Sequence, residues 1–274
     1  MTRLSRPTWD AGLRNRRRFT PLSGDTLRRT AVAVLAHVLV IVVWYVIVEY
    51  GHVPRFVMPS PLATFKSLGG TNYHWISNAA VTASEIFGGY LMAVVIGIVL
   101  AIVFTWSEPL EAAAMPLLVS LNMIPKVALG PLFIVWFSYG IVPNTIIAFS
   151  ISFFPVLLTT ARGLHEVEPD LLDLVRSLSG SRWQLFTKIQ LPIALPYIFS
   201  GMKVAAILAV AGAVVGEFLG SSSGLGYLML QVQVTLDTAA MFMAVILITM
   251  IGVVLYVLVL GLERLLVARE ARVR

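Results

Sequence analysis

The chain has 274 residues, of which 58% are hydrophobic and 12% charged, with a mean hydropathy of +0.87, net charge +6 and no cysteine. A soluble domain carries about 25% charged residues; half that share, between long apolar runs, excludes an ordinary globular enzyme and points to a polytopic membrane protein. The lack of cysteine excludes disulfides, Cys-ligated zinc and thiolate chemistry, and the positive charge is placed as the positive-inside rule expects, not as a nucleic-acid surface.

Residues 1–29 read as a basic cytoplasmic segment, with Arg3, Arg6, Arg14, Arg16, Arg17, Arg18, Arg28 and Arg29 against Asp10 and Asp25. A membrane domain is expected over 30–266 and a short cytoplasmic tail over 267–274. Ala31 to Val48 is the first span, close to the lower limit of about twenty residues for a hydrocarbon core of about 30 Å. No small-residue cleavage site follows it, so it reads as a retained helix. A polar segment holding Met58-Pro59-Ser60-Pro61 runs to about Asn78 on the extracytoplasmic side. Ile86 to Phe104 is the second span, where Gly88, Gly89 and Gly97 permit close helix approach. Glu108, Pro109 and Glu111 turn the chain.

The third span, Ala112 to Phe137, contains Pro116, Pro125 and Pro131. Proline inside a helix removes a hydrogen bond and kinks it, which membranes tolerate where protein or water meets the freed carbonyls. Asn122, Met123 and Lys126 lie in this interrupted region. Lys126 is either a side chain snorkelling to an interface or one lining a pathway. Val142 to Thr160 is the fourth span. The fifth, Leu195 to Gly216, repeats Ala205, Ala209 and Ala213, with Gly212 and Gly216, at intervals of four, a small-residue face for tight packing. Glu217 closes it, either at the outer interface or paired within a pathway, because a carboxylate at the bilayer centre costs about 2.5 to 3.5 kcal/mol. Ser221 to Tyr227 reads as a flexible outer loop. Ala239 to Leu260 is the sixth span, and Arg264, Arg269, Arg272 and Arg274 hold the C-terminus inside.

Between spans four and five lies a polar stretch, Glu166 to Pro196, which six spans with both termini inside place in the cytoplasm. Leu171, Leu174, Val175 and Leu178 stand at i, i+3, i+4 and i+7, one apolar helix face, with Pro169 suited to the first turn. Gly180 interrupts. Ser181 and Gln184 form a capping-box pattern opening a second helix, along which Trp183, Phe186 and Ile189 share a face until Pro192 is expected to stop it.

This stretch resembles the cytoplasmic loop of ABC importer permeases, whose pattern is E-A-A, three residues, Gly, nine residues, Ile, one residue, Leu-Pro. Anchored on Leu191-Pro192, Ile189 falls on the Ile, Ser179 on the Gly and Asp173-Leu174-Val175 on E-A-A. The spacing matches throughout; the residues depart, with Gly180 displaced by one. MPSP, IPKVALGPLFIVWFSYG, FFP, LPIALPYIFSGMKVA and GEFLGSSSGLGYL extend the resemblance over about Pro59 to Leu228. They are similar to the nitrate, sulfonate, taurine and pyrimidine-precursor group of these permeases. AVAGAVVGEF is most similar to the branch for thiamine pyrimidine precursors and riboflavin-like heterocycles.

The resemblance implies an all-α, six-helix type I ABC importer permease fold with a cytoplasmic coupling loop at 166–191. It implies a separate ABC ATPase subunit docking on Asp173, Leu174, Val175, Leu178, Ser179, Gly180, Ile189, Leu191 and Pro192. It also implies an extracytoplasmic solute-binding protein and a permease homodimer in membrane lipid; the proline-broken third span and the small face of the fifth suggest a pathway bordered by Asn122, Met123, Lys126 and Glu217.

These residues carry no G-x-x-x-x-G-K-[ST] phosphate loop, so ATP hydrolysis belongs to a partner chain. His37, His52, His74 and His165 are scattered without metal-ligand spacing, so no cofactor, metal or catalytic residue is expected. Glu85 and Glu217 are the only acids near the middle of the apolar segments. The rival class, a secondary transporter, calls for internal repeats and matching interrupted helices, and only the third span is strongly interrupted.

Overall fold

A computed structural model describes residues 24–267, and every described element is helical. The basic residues of 1–23 and the arginines beyond 267 lie outside the described residues. The chain divides into two compact units, 1–53 and 54–274. In the first unit, α1 (Gly24–Tyr50) contains the apolar stretch Ala31–Tyr50, long enough to cross a bilayer.

In the second unit the polar segment between the first two spans is folded rather than open. Ser60 caps α2 (Pro61–Lys66) by accepting a hydrogen bond from the Ala63 N–H at 3.2 Å, with Pro61 in the first turn. Two short 3-10 turns follow, and the Trp75 indole donates to the Ser67 carbonyl at 3.2 Å. Helix α3 (Trp75–Trp106) therefore begins eleven residues before the expected Ile86. The added turns are more polar than a lipid-facing span because Thr82 and Glu85 point into the protein, fully buried.

The third span is two helices. α4 (Glu108–Asn122) and α5 (Gly130–Phe137) meet at 80° across the break, with a 3-10 turn at Lys126–Leu129. Of its three prolines only Pro125 sits in the break; Pro116 is accommodated inside α4, and Pro131 lies in the first turn of α5, where a missing N–H costs nothing. Four further helices complete the spans and the loop: α6 (Ile141–His165), α7 (Pro169–Ser177), α8 (Arg182–Leu185) and α9 (Leu191–Gly220). α11 (Thr238–Leu266) is the last span, capped by Asp237, whose carboxylate accepts from the Ala240 N–H at 3.1 Å and the Tyr73 hydroxyl at 2.5 Å. Five helices are long and apolar enough to span, and the bent α4–α5 pair makes a sixth.

Two expectations are corrected. Pro192 does not stop the second loop helix. α8 passes through a π turn, Phe186–Gln190, directly into α9, so 182–220 is one helical run of 39 residues. The wide turn opens the i→i+4 ladder, the Leu191 N–H bonding the Phe186 carbonyl, at the point where proline has no N–H to offer. The outer loop Ser221–Tyr227 is also mostly helix: only 221–224 is irregular before α10 (Leu225–Val234).

The core is α6 held between α3 and α9. α3 runs alongside α6 in the same direction and α9 runs against it, as the pairs Gly89–Ala148, Gly97–Val156, Gly212–Ala148 and Gly201–Pro155 require. A Cβ on Gly89 would lie 2.6 Å from the Ala148 Cβ, and one on Gly212 would lie 2.6 Å from the Ala148 Cα. Ala148 is thus clamped between two glycines, and the expected face Ala205, Ala209 and Ala213 is fully buried. Dispersion at such short axial separations holds helices together where lipid removes the hydrophobic driving force. α11 closes the side of α9 through a buried ion pair, Lys203 Nζ to Glu263 Oε1 at 3.0 Å.

Candidate functional site

Three groups of side chains stand out from this packing. The first is the loop between α6 and α9. α7 ends by a Schellman turn: the Gly180 N–H donates to the Val175 carbonyl at 2.9 Å while Ser179 takes the left-handed conformation at φ 55°. Ser179 is the residue aligned with the glycine of the loop pattern, so the backbone keeps the conformation for which glycine is suited although the side chain differs. Gly180 is required for another reason. A Cβ there would meet Val175 Cγ1 at 2.5 Å. The capping box is formed, with the Ser181 N–H donating to Gln184 Oε1 at 2.9 Å and the Gln184 N–H to Ser181 Oγ at 3.2 Å.

The two apolar faces of the loop differ in what they touch. Trp183 and Phe186 pack with Trp106 at the end of α3, ring centroids 5.7 to 6.2 Å apart, and Phe186 is buried. That face tethers the loop to the spans. On α7, by contrast, Leu174 is 53% and Leu178 74% exposed, with Asp173 exposed beside them and Val175 half-buried. Ile189 and Leu191 are half-buried in the π turn and its continuation, and Pro192 is exposed. His165 Nε2 lies 3.3 Å from the Glu111 carboxylate, joining the end of α6 to the start of α4.

The second group is the bend of the third span. Lys126 Nζ donates to the Asn122 carbonyl at 2.9 Å and to Asn122 Oδ1 at 2.7 Å, and sits 5.1 Å from the centre of the Phe154 ring. The break thus supplies a cation of its own to the carbonyls that Pro125 strands. Met123 is 79% exposed beside them. The structure brings Asn122 and Lys126 together; Glu217 takes no part in this cluster.

Glu217 belongs to the third group, at the end of the bundle opposite the loop. It is 1% exposed, and its carboxylate accepts from the Thr82 hydroxyl at 2.5 Å, from the Gly226 N–H and from the Tyr227 N–H at 3.3 Å. Thr82 in turn accepts from the Leu225 N–H at 2.8 Å, and Asn78 Oδ1 from the Gly224 N–H at 2.9 Å. The first turn of α10 therefore wraps a carboxylate with its free N–H groups, the usual anion-binding geometry of a helix start. Cβ atoms on Gly224 or Gly226 would run into that carboxylate, and Gly224 has φ +111°. The run read as a flexible GLGY loop is a fitted wrapping. Glu85 and Asn144 complete the network, Asn144 Nδ2 donating to Glu85 Oε1 at 2.8 Å. Sequence reading noticed Glu85 as an isolated acid and missed Thr82, Asn144 and Asn78; only the spacing of polar residues in otherwise apolar spans hinted at them.

Among the described residues, five helices long enough to span, six with the bent pair, and a short amphipathic loop between α6 and α9 are the architecture of a multi-pass membrane protein. The chain belongs to the family of binding-protein-dependent transport system inner membrane components, whose family model matches residues 93–272. It is an ABC importer permease of the nitrate, sulfonate and pyrimidine-precursor group. It is 34% identical over 236 residues to the riboflavin transport system permease protein RibX of Chloroflexus aurantiacus, covering 85% of this chain and 88% of that one. Over 233 residues it is 29% identical to the formylaminopyrimidine transport permease protein ThiX of Halalkalibacterium halodurans, 85% and 93% being covered. Its fold matches the inward-facing MetNI methionine ABC transporter with a TM-score of 0.55 at 19% identity, over 70% of this chain and 98% of the other.

Proposed function

We propose that this permease subunit is driven by a separate ABC ATPase that docks on the 166–191 loop, and that it passes a small heterocycle of the pyrimidine-precursor or riboflavin kind. The observation that carries the coupling reading is the division of labour between the two loop helices. Phe186 is buried against Trp106, whereas Leu174 and Leu178 stay exposed on a nine-residue helix too short and too polar to enter the bilayer. An apolar stripe on a short helix fits a groove on a partner, as helix-in-groove recognition requires. Asp173, Val175, Ser179, Gly180, Ile189, Leu191 and Pro192 form or support the same surface.

In this reading the loop end faces the cytoplasm, and the end bearing α2 and α10 receives solute from an extracytoplasmic binding protein. Two copies of the chain present two equal loops to two ATPases. ATPase closure pulls the loops together, and the 182–220 run carries that displacement into the spans without a flexible joint. The route runs past the bend in the third span, bordered by Asn122, Met123 and Lys126. The heterocycle class is supported by the names of the two relatives above; sulfonate, taurine or nitrate is the other outcome for the same machinery.

Leu174→Asp and Asp173→Lys should release the ATPase or uncouple its hydrolysis from uptake while the permease still inserts. Co-purification with the ATPase and solute-stimulated hydrolysis read both effects, and full transport by both variants removes the assignment. Because the chain has no cysteine, single cysteines at 122, 123 and 126 can be probed with a membrane-impermeant thiol reagent. Labelling that changes with nucleotide supports the route, and protection in every state excludes it. Uptake of labelled riboflavin or formylaminopyrimidine, compared with a sulfonate, decides the solute class.

A further inference from the structure

The buried network at the far end of the bundle contains a stereochemical mismatch that its neighbours do not resolve. Glu85 on α3 is fully buried and Glu217 on α9 is 1% exposed. Glu217 is satisfied as an anion, with Thr82, Gly226 and Tyr227 donating to it. Glu85 has one oxygen satisfied by Asn144, while its Oε2 and Asn144 Oδ1 meet no donor among the described residues. Thr82, one turn before Glu85 on the same face of α3, donates to Glu217, and Asn144, which donates to Glu85, lies against Gly216 next to Glu217, so the two carboxyls adjoin. Two acceptors therefore face one another in the protein interior.

The surrounding elements offer no cation. α6 presents the neutral Asn144, and α10 presents backbone N–H groups and Tyr227, whose phenol accepts from Gln231. Lys203 is committed to Glu263 on α11, and Asp237 is bonded to Tyr73. Two ionised carboxylates in contact inside a protein repel strongly and lose their hydration. One added proton removes both penalties: it neutralises one charge and turns the acceptor–acceptor contact into a short donor–acceptor bond.

We propose that Glu85 and Glu217 form a proton-binding site, with a single proton carried on Glu85 Oε2 and donated to the Glu217 carboxylate, and that this proton latches α3 to α9 and to the start of α10. Three donors already hold Glu217 in its ionised form, so the proton belongs to Glu85. The latch ties the outer end of the 182–220 run to α3 and, through Asn144, to α6. A loss of that proton leaves two charges in one cavity and drives these helices apart at the outer end. The site does not depend on which solute is carried.

The test uses the full-length chain in nanodiscs. Infrared spectra at neutral pH should contain the carbonyl stretch of a protonated carboxylic acid, which solvent-exposed carboxyls, ionised at that pH, do not give. In Glu85→Gln, whose amide N–H₂ replaces the proton as donor, this band should vanish while the thermal midpoint in the nanodisc persists. Glu263→Gln, at the opposite end, should leave the band in place. A wild-type spectrum without the band overturns the proposal, as does a band unchanged in Glu85→Gln. Should Glu85→Gln fail to accumulate, the wild type carries a second test: its thermal midpoint with sodium replaced by N-methylglucamine at constant ionic strength. No change is expected for a proton site. A sodium-dependent rise would mean that a metal cation fills the site and would refute the latch.

Discussion

Ser179 does at one residue what the loop pattern assigns to glycine. Its φ of 55° is a conformation that costs a non-glycine L-residue about 1 kcal/mol or more. Ser179→Gly should therefore strengthen the turn after α7 by about 1 kcal/mol, read as slower amide hydrogen exchange at Gly180, whose N–H closes the turn. Gly180→Val should do the opposite, because its side chain would enter the space of Val175. If the turn is unchanged by Ser179→Gly, strain at that residue is not what limits it. The sequence match left this glycine displaced by one position; the backbone explains the displacement, since the left-handed residue and the residue needing no Cβ are neighbours.

Among the elements, α6 has the least tolerance because α3 and α9 approach it on two sides. Gly212→Val and Ala148→Leu should each cost about 1–3 kcal/mol or prevent folding, since a Cβ on Gly212 would lie 2.6 Å from the Ala148 Cα and Ala148 itself is fully buried between Gly89 and Gly212. Gly261 is the internal control. Nothing lies within 4 Å of a Cβ there, so Gly261→Ala in α11 should be neutral or stabilise by about 0.5–1 kcal/mol through helix propensity. Thermal unfolding of the purified chain ranks the three, and equal losses at all would refute the packing account. The small-residue periodicity of α9 was readable as a repeat of four. Its partner was not, because α6 marks the contact with a single alanine that no periodic pattern distinguishes.

For the whole molecule, orientation is the property on which coupling depends. Reporter fusions after Tyr50 and after Ser223 should report an extracytoplasmic position, and one after His165 a cytoplasmic one. The reverse result would put the Leu174–Leu178 face out of reach of any ATPase. The six-span count, the basic flanks and the loop spacing were all legible, because hydropathy runs of about twenty residues and one-sided helix faces are local properties of the chain. Helix ends were less so. α3 starts early because Thr82 and Glu85 are buried against other helices, and 182–220 runs on past Pro192 because a π turn absorbs the missing donor.

Sequence by itself determined the membrane character, the apolar runs, the position of the loop and the small face of α9, since each follows from period, composition or spacing, while the class of protein came from resemblance to a family. Only the tertiary structure decided that Phe186 is buried against Trp106 while Leu174 and Leu178 stay exposed, that the third span turns by 80°, and that Glu217 is enclosed rather than exposed at an interface. The reason is the same in each case. Which side of a helix is covered, and what a buried carboxylate meets, depend on residues such as Thr82 and Gly226 that lie more than a hundred positions apart in the chain and have no local signature.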